Sequence, residues 1–172
     1  PFTADDVVFT AEMIRDTPAL AYSAAFNAAI ESVTKVDDHT VEITTTRPTP
    51  RLSVVLGSVI YGNSFHVVPK HIWENEDPAT FANFPPVSIS AYKYSDHDPN
   101  GTWFLWEKRE DWQNSDVGQM IGEPEPDFVL FRSYGTEERR VLAMAANEID
   151  ILTDISPESL DILRAQNDKV RG

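Results

Sequence analysis

Apolar and polar positions alternate along this chain with two periods, and the change of period marks its elements. The opening PFTADDVVFTAEMIRDTP repeats apolar residues at helical spacing, with Val7, Ala11 and Ile14 on one face beside Val8 and Phe9. Thr3 is a good N-cap, and Asp6 three residues on completes a capping-box pattern. Asp5 and Asp6 lie where a helix dipole favours negative charge, and Pro18 ends the helix. Ala19 to Ala29 predicts a second, weaker helix. IESVTKVDDHTVEITTT then switches to period two. Val41 and Ile43 alternate with polar neighbours, and Asp37, Asp38 and His39 supply a hairpin turn.

Pro48 and Pro50 break the pattern before a short helix carrying Leu52, Val55, Leu56 and Val59. FHVVPKHIWE predicts a short strand running into a helical turn, with Pro69 in the first turn. DPATFANFPPVSIS is loop. AYKYSDHDPNGTWFLWEKRE predicts two strands around a turn at Asp98 to Gly101. Pro124 and Pro126 introduce the strand FVLFRSY. TEERRVLAMAANEID predicts a helix with Val141, Leu142 and Ala145 inward and Arg139 and Arg140 solvated. IDILTDI predicts a further strand. Ser156 caps a last helix that starts at Pro157 and buries Leu160 and Leu163. No repeat or low-complexity tract appears. The alternation of strands and helices predicts a mixed α/β domain, one segment over residues 1–172.

Composition narrows the function classes. With 14 basic and 28 acidic side chains the net charge is −14, a field that repels nucleic acid and anionic membrane surfaces. The absence of cysteine removes disulfides, thiolate nucleophiles and thiolate metal sites. No apolar run approaches the length that spans a bilayer. The chain begins at Pro1 with structure and no signal peptide, which reads as a segment excised from a longer protein.

Asp96-His97-Asp98-Pro99-Asn100-Gly101 with Glu107 fits the calcium-loop pattern D-x-[DN]-x-[DN]-G-x5-E. Asp96, Asp98, Asn100 and Glu107 would supply side-chain oxygens. The flanks read as strands, however, where an EF-hand needs helices. An ordinary hairpin turn rich in Asp, Pro, Asn and Gly is the weightier reading. Asn100-Gly101-Thr102 also matches a glycosylation sequon. Trp103, Trp106 and Trp112, with Tyr92 and Tyr94, concentrate aromatic rings able to stack on sugars. On a strand, Trp103 and Leu105 face one way while Phe104 and Trp106 face the other, so core packing competes with ligand contact for each. Glu123, Glu125 and Asp127 form an acidic loop. Paired carboxylates there could serve glycoside hydrolysis, against the blander reading of a solvated loop. There is no G-x-S-x-G elbow, and Ser64 near His66 is proximity without triad geometry. The four histidines lack zinc-site spacing.

Several stretches together resemble one family in the same order: PFTADDVVFTAEMIRD, DDHTVEITTT, VVPKHIWE, Tyr92-Lys93, KREDWQN, and RRVLAMAANEIDILTDISPESLDIL. They resemble the family 5 extracellular solute-binding proteins of ABC transporters, which bind peptides, nickel or oligosaccharides, and the resemblance covers essentially the whole chain. Three positions depart from the family pattern. Ser88-Ile89-Ser90-Ala91-Tyr92 replaces G-T-G-P-Y, and loss of both glycines implies a different loop path. Asn147 replaces a helix-ending glycine. Trp112-Gln113 replaces a W-G pair. The tryptophan-rich WFLWEKREDW looks more like the oligosaccharide-binding branch than the peptide branch.

The resemblance implies a clamshell receptor of the type II periplasmic-binding-protein-like fold, with a mixed sheet and flanking helices. This segment would be the middle and later part of its first lobe, without the second lobe or the N-terminus. It implies no enzymatic activity and no cofactor. The ligand would be a small molecule, a peptide or an oligosaccharide. The partners would be the membrane subunits of an ABC permease, at a periplasmic or extracellular location with anchoring through the absent N-terminus. Tyr61, Asn63, Trp103, Trp106 and Trp112 are the candidate ligand-facing residues, the first two in a Gly-flanked loop.

Overall fold

The computed structural model describes residues 1–57, 65–167 and 169–170. The chain divides into two units, Pro1–Ile89 and Ser90–Gly172.

In the first unit, helix α1 (Ala4–Asp16) starts at the N-cap Thr3, as its sequence predicts. The Asp6 carboxylate accepts the Thr3 backbone N–H at 2.9 Å, which occupies one of the donors a helix start leaves orphaned. Helix α2 (Ser23–Ala29) leads directly into strand β1 (Ile30–Asp37), which pairs antiparallel with β2 (Thr40–Thr45). Asp37 faces Thr40, so Asp38 and His39 form the turn. The Asp37 carboxylate accepts the His39 N–H at 2.8 Å, an Asx-type contact that favours this bend. Along β2, half-buried Val41 and Ile43 alternate with exposed Glu42 and Thr44.

Helix α1 packs on this hairpin, on α2 and on the short α4 (Lys70–Trp73). Ala4 and Ala11 are the buried apolar residues of its inner face, while Val7 and Ile14 are half-buried. Lys35 ties the helix start to the turn, its Nζ 2.7 Å from both Asp5 Oδ2 and Asp38 Oδ1. Helix α3 (Leu52–Gly57) forms where Leu52 and Leu56 suggest it, and Val59 lies outside the described residues. The strand expected in FHVVPKHIWE does not form: residues 65–69 belong to no helix or strand. The backbone N–H of Val68 goes instead to the Thr10 hydroxyl at 3.0 Å. Pro69 is the N-cap of α4 rather than a first-turn residue.

In the second unit, β3 (Tyr92–His97), β4 (Trp103–Lys108) and β5 (Phe128–Arg132) form one antiparallel sheet in that order. The β3–β4 turn closes through the Gly101 N–H to the Asp98 carbonyl at 2.7 Å, with Gly101 at φ +70°. A bulge falls between Tyr94 and Asp96. After β4 come a 3₁₀ turn (Trp112–Asn114) and α5 (Asp116–Ile121). The Ser115 hydroxyl caps α5 by accepting the Gly118 N–H at 3.0 Å. Gly118 lies so close to the carbonyl and ring of Trp112 that a Cβ there has no room.

Helix α6 (Glu137–Ala145) and helix α7 (Pro157–Gln166) pack together. Val141, Ala143 and Leu163 are buried between and around them. Leu142 was expected inside but is 64% exposed, and Ala145 is half-buried. Arg139 is solvated as expected. Arg140 is not: its guanidinium donates to the carbonyls of Thr153 and Asp154 at 3.1 and 3.2 Å. Asn147 adopts φ 57°, the left-handed geometry that its place after α6 calls for. IDILTDI is not a strand. Its alternation has no ladder beside it among the described residues, and Ile151 is 82% exposed.

The accessible surface is 12201 Å². A compact protein of this mass exposes roughly 8,500 Å², and two separate compact domains of half the mass expose about 10,000 Å² together. Large apolar side chains of the sheet, among them Phe104, Phe128, Leu130 and Phe131, are exposed.

Candidate functional site

The β3–β4–β5 sheet is where the sequence and the tertiary structure bring aromatic side chains together. Register decides which of them share a face. Tyr94 faces Trp106, which faces Val129, and His97 faces Phe104, which faces Phe131. The rings touch: Tyr94 and Trp106 meet edge to face with centroids 5.7 Å apart, and His97 stacks on Phe104 at 6.4 Å. Such pairs stabilise a sheet by about 0.5–1.5 kcal/mol each beyond the area they bury. The row is half-buried toward Trp106 and open toward Phe104 and Phe131, the latter 62% exposed. On the opposite face Trp103 pairs with Arg132, Leu105 with Leu130 and Glu107 with Phe128.

The five candidate ligand-facing residues are therefore not one cluster. Trp103 and Trp106 lie on opposite faces of β4, as alternation requires. Trp112 sits in the 3₁₀ turn against Gly118. Tyr61 and Asn63 lie outside the described residues, as does Ser64. Two aromatics not named as candidates, Phe104 and Phe131, are the more exposed members of the Trp106 face. The strand alternation and the register of the third strand would have identified them.

The acidic loop is strapped to the sheet by a lysine. Lys108 Nζ lies 3.1 Å from Glu123 Oε1 and 2.9 Å from Asp127 Oδ1, and donates to the Pro124 carbonyl at 3.2 Å. The two carboxylates raise its pKa above the usual lysine range. Tyr92 adds a second tie by donating its hydroxyl to the Pro126 carbonyl at 2.8 Å. A paired acid and base for glycoside cleavage needs two carboxyls flanking a substrate. Here two of the three converge on a cation instead.

The calcium-pattern residues are also engaged locally. Asp98 Oδ2 accepts the Thr102 hydroxyl at 2.7 Å, which with the neighbouring N–H groups holds its pKa below the usual range. Asp96 accepts the His97 N–H at 2.8 Å. Glu107 pairs with Lys93 at 2.8 Å and accepts the Ser95 hydroxyl at 3.0 Å, so its pKa is lowered by Lys93 first and Ser95 second. Among the described residues no group of three or more His, Cys, Asp or Glu is placed to hold a metal ion. In the first unit, a shallow cleft of about 120 Å³ lies between the start of α1 and the hairpin turn, lined by Phe2, Val7, His39 and Val41 among others.

The mixed α/β architecture is that of the type II periplasmic binding proteins. The description "Bacterial extracellular solute-binding proteins, family 5 Middle" matches residues 1–171, and the chain belongs to this family. Among solved structures, a periplasmic oligopeptide-binding protein of Thermotoga maritima with bound mannohexaose is 25% identical, with a TM-score of 0.69 over 95% of this chain and 29% of that one. The ABC transporter substrate-binding protein CtaP of Listeria monocytogenes is 27% identical, with a TM-score of 0.67 over 96% of this chain and 32% of that one. MoaA of A. tumefaciens R10, solved with mannopinic acid, is 27% identical, with a TM-score of 0.62 over 87% of this chain and 27% of that one. The chain thus spans about a third or less of each of these solved proteins. No curated protein matches the sequence. Among the described residues no helix is long and apolar enough to cross a membrane.

Proposed function

We propose that this chain is the middle and later part of the first lobe of a two-lobed solute receptor. The receptor captures a peptide or oligosaccharide outside the cytoplasmic membrane and delivers it, without chemical change, to an ABC permease. The carrying observation is that family 5 similarity runs over residues 1–171 and not over one motif. Two further observations support the reading. The accessible surface of 12201 Å² exceeds what one or two compact domains of this mass expose, as expected of a piece that meets further protein and ligand. The exposed aromatic sheet gives ring faces of the kind that stack on sugars or peptide side chains.

On this reading Trp103, Trp106 and Trp112, with Tyr61 and Asn63, are the residues to probe for ligand contact. The receptor is anchored or free outside the membrane, and the second lobe completes the cleft. Half a cleft buries too little of a ligand to offset the cost of ordering it, so tight binding belongs to the intact receptor.

The test is thermal unfolding of the intact receptor with a peptide panel and an oligosaccharide panel, beside the 172-residue segment. A ligand at a hundred times its dissociation constant adds about 2.7 kcal/mol to the receptor, which a melting curve resolves. Stabilisation of the receptor alone is the expected result. Equal stabilisation of the segment would defeat the half-cleft reading. Turnover of a chromogenic glycoside, abolished by Glu123→Gln, would defeat the non-catalytic one.

A further inference from the structure

Acidic side chains outnumber basic ones two to one in this chain, 28 to 14, and most cations on or beside the sheet are already paired. Lys93 meets Glu107, Lys108 meets Glu123 and Asp127, and Arg109 meets Asp111. Arg132 is different. Its guanidinium lies over the Tyr134 ring, 5.4 Å from the centroid, and among the described residues no carboxylate lies within ion-pair distance. The acids nearest in the chain do not reach it: Glu137 is committed to the Ser156 and Ser159 hydroxyls.

The strand register gives Arg132 a second aromatic neighbour. Trp103 is its direct partner across β4 and β5. Hydrogen bonds from Ser133 N to the Thr102 carbonyl, and from Lys108 N to the Asp127 carbonyl, fix which pairs of this ladder exchange backbone bonds. Trp103 and Arg132 fall on a pair that does not, the kind in which side chains stand closest. Both side chains are at least partly open to solvent. A guanidinium placed over one ring, with a second aromatic residue as its partner across the ladder, keeps its fork of N–H donors unspent. That fork matches a carboxylate bidentately.

We propose that Arg132, oriented by Tyr134, binds a carboxylate of the transported ligand, while Trp103 supports the adjoining apolar or ring portion. The inference rests on the receptor reading above and narrows it: the ligand is an acid, either a peptide with a free C-terminus or a sugar acid. In a chain of net charge −14, an unpaired arginine is also the group that lets an anion approach against the prevailing field.

The experiment is calorimetric titration of the intact receptor and of its Arg132→Gln and Arg132→Lys variants. The probes are trialanine, trialanine amide, mannopinic acid and mannohexaose. Circular dichroism confirms that each variant is folded, and Arg132→Lys carries the comparison if Arg132→Gln is not. The expected result is that an acid probe binds at least tenfold more tightly than its neutral counterpart. Arg132→Gln then removes that preference and leaves neutral binding within twofold. Arg132→Lys restores only part of it, because an ammonium lacks the fork. Preference for trialanine identifies the peptide source, and preference for mannopinic acid the sugar-acid source.

An unchanged preference in Arg132→Gln overturns the proposal, as does equal loss for acid and neutral probes, which would mark a packing role. Binding of mannohexaose or trialanine amide alone also overturns it while leaving the receptor reading intact. Binding of no probe counts against the receptor reading and the site together.

Discussion

The buried polar side chains of Pro1–Ile89 contrast with the exposed rings of Phe104, Phe128 and Phe131 on the sheet of Ser90–Gly172. The first unit buries Asp6, Thr10 and Ser23. Asp6 Oδ1 accepts the Lys70 N–H at 2.9 Å while Oδ2 accepts that of Thr3, and Thr10 accepts the Val68 N–H. One turn of α1 thereby holds a segment some sixty residues away that has no ladder of its own. Burial pushes the Asp6 pKa up, but the backbone donors of Lys70 and Thr3 outweigh it and leave the carboxyl below its usual value. The second unit solves the same problem of fixing non-local segments differently. Its strands are joined by backbone ladders and ring contacts, and its two C-terminal helices by Glu137, which accepts the N–H of Ser156 at 2.9 Å and the hydroxyls of Ser156 and Ser159. A seam made of polar groups is closed and specific. A sheet held by its own ladder can leave its faces free for something else, and Trp103, Trp106 and Arg132 lie on such faces.

Four substitutions would break or sharpen this contrast. Leu163 is 1% exposed in the helix pair, so Leu163→Ala should cost about 3 kcal/mol. Urea unfolding of the intact protein reads this, and a loss below 1 kcal/mol would mean that the pair has no real core. Asp6→Ala orphans the N–H groups of Lys70 and Thr3 and should cost about 2 kcal/mol, with Asp6→Asn intermediate. Amide exchange should quicken at Lys70 but not at β4, and uniform quickening would contradict two separately held units. Thr10→Val keeps the shape but leaves the Val68 N–H without its acceptor, a cost of about 1 kcal/mol in the same assay. A neutral result would mean that water replaces the hydroxyl.

The last test is at Glu137, where the effect depends on pH. Its hydrogen bonds from Ser159, then from the backbone and hydroxyl of Ser156, lower its pKa from 4.5 to about 2. A depressed carboxylate contributes stability that is present above pH 4.5 and lost as the pH falls toward 2. Glu137→Gln removes that contribution, so it should lower the melt at pH 7, lose its effect as the pH falls toward 2, and thereby flatten the acid limb of the stability profile. Identical acid limbs in the two proteins would show that the clamp carries no such linkage.

Much of this was legible in the chain itself, because the responsible interactions are local. The capping pair Thr3 and Asp6, the turn at Asp38 and His39, the strands around Gly101, the N-cap Ser156 before Pro157, and the left-handed Asn147 each depend on residues a few positions apart. The two strands that did not form, in FHVVPKHIWE and IDILTDI, failed for the opposite reason. Period-two alternation is a property of the segment, but a strand exists only where another backbone accepts its ladder. Arg140 was misplaced similarly, since the carbonyls of Thr153 and Asp154 that receive it lie beyond the next turn.

Sequence alone determined the family, the class of fold, the acidic charge and the local punctuation of its helices and hairpins. Tertiary structure alone decided that Asp6 reaches Lys70, that Lys108 gathers the acidic loop, and that Arg132 falls opposite Trp103 in the sheet. Those pairings join residues by register and packing, and neither can be read from spacing along a single strand.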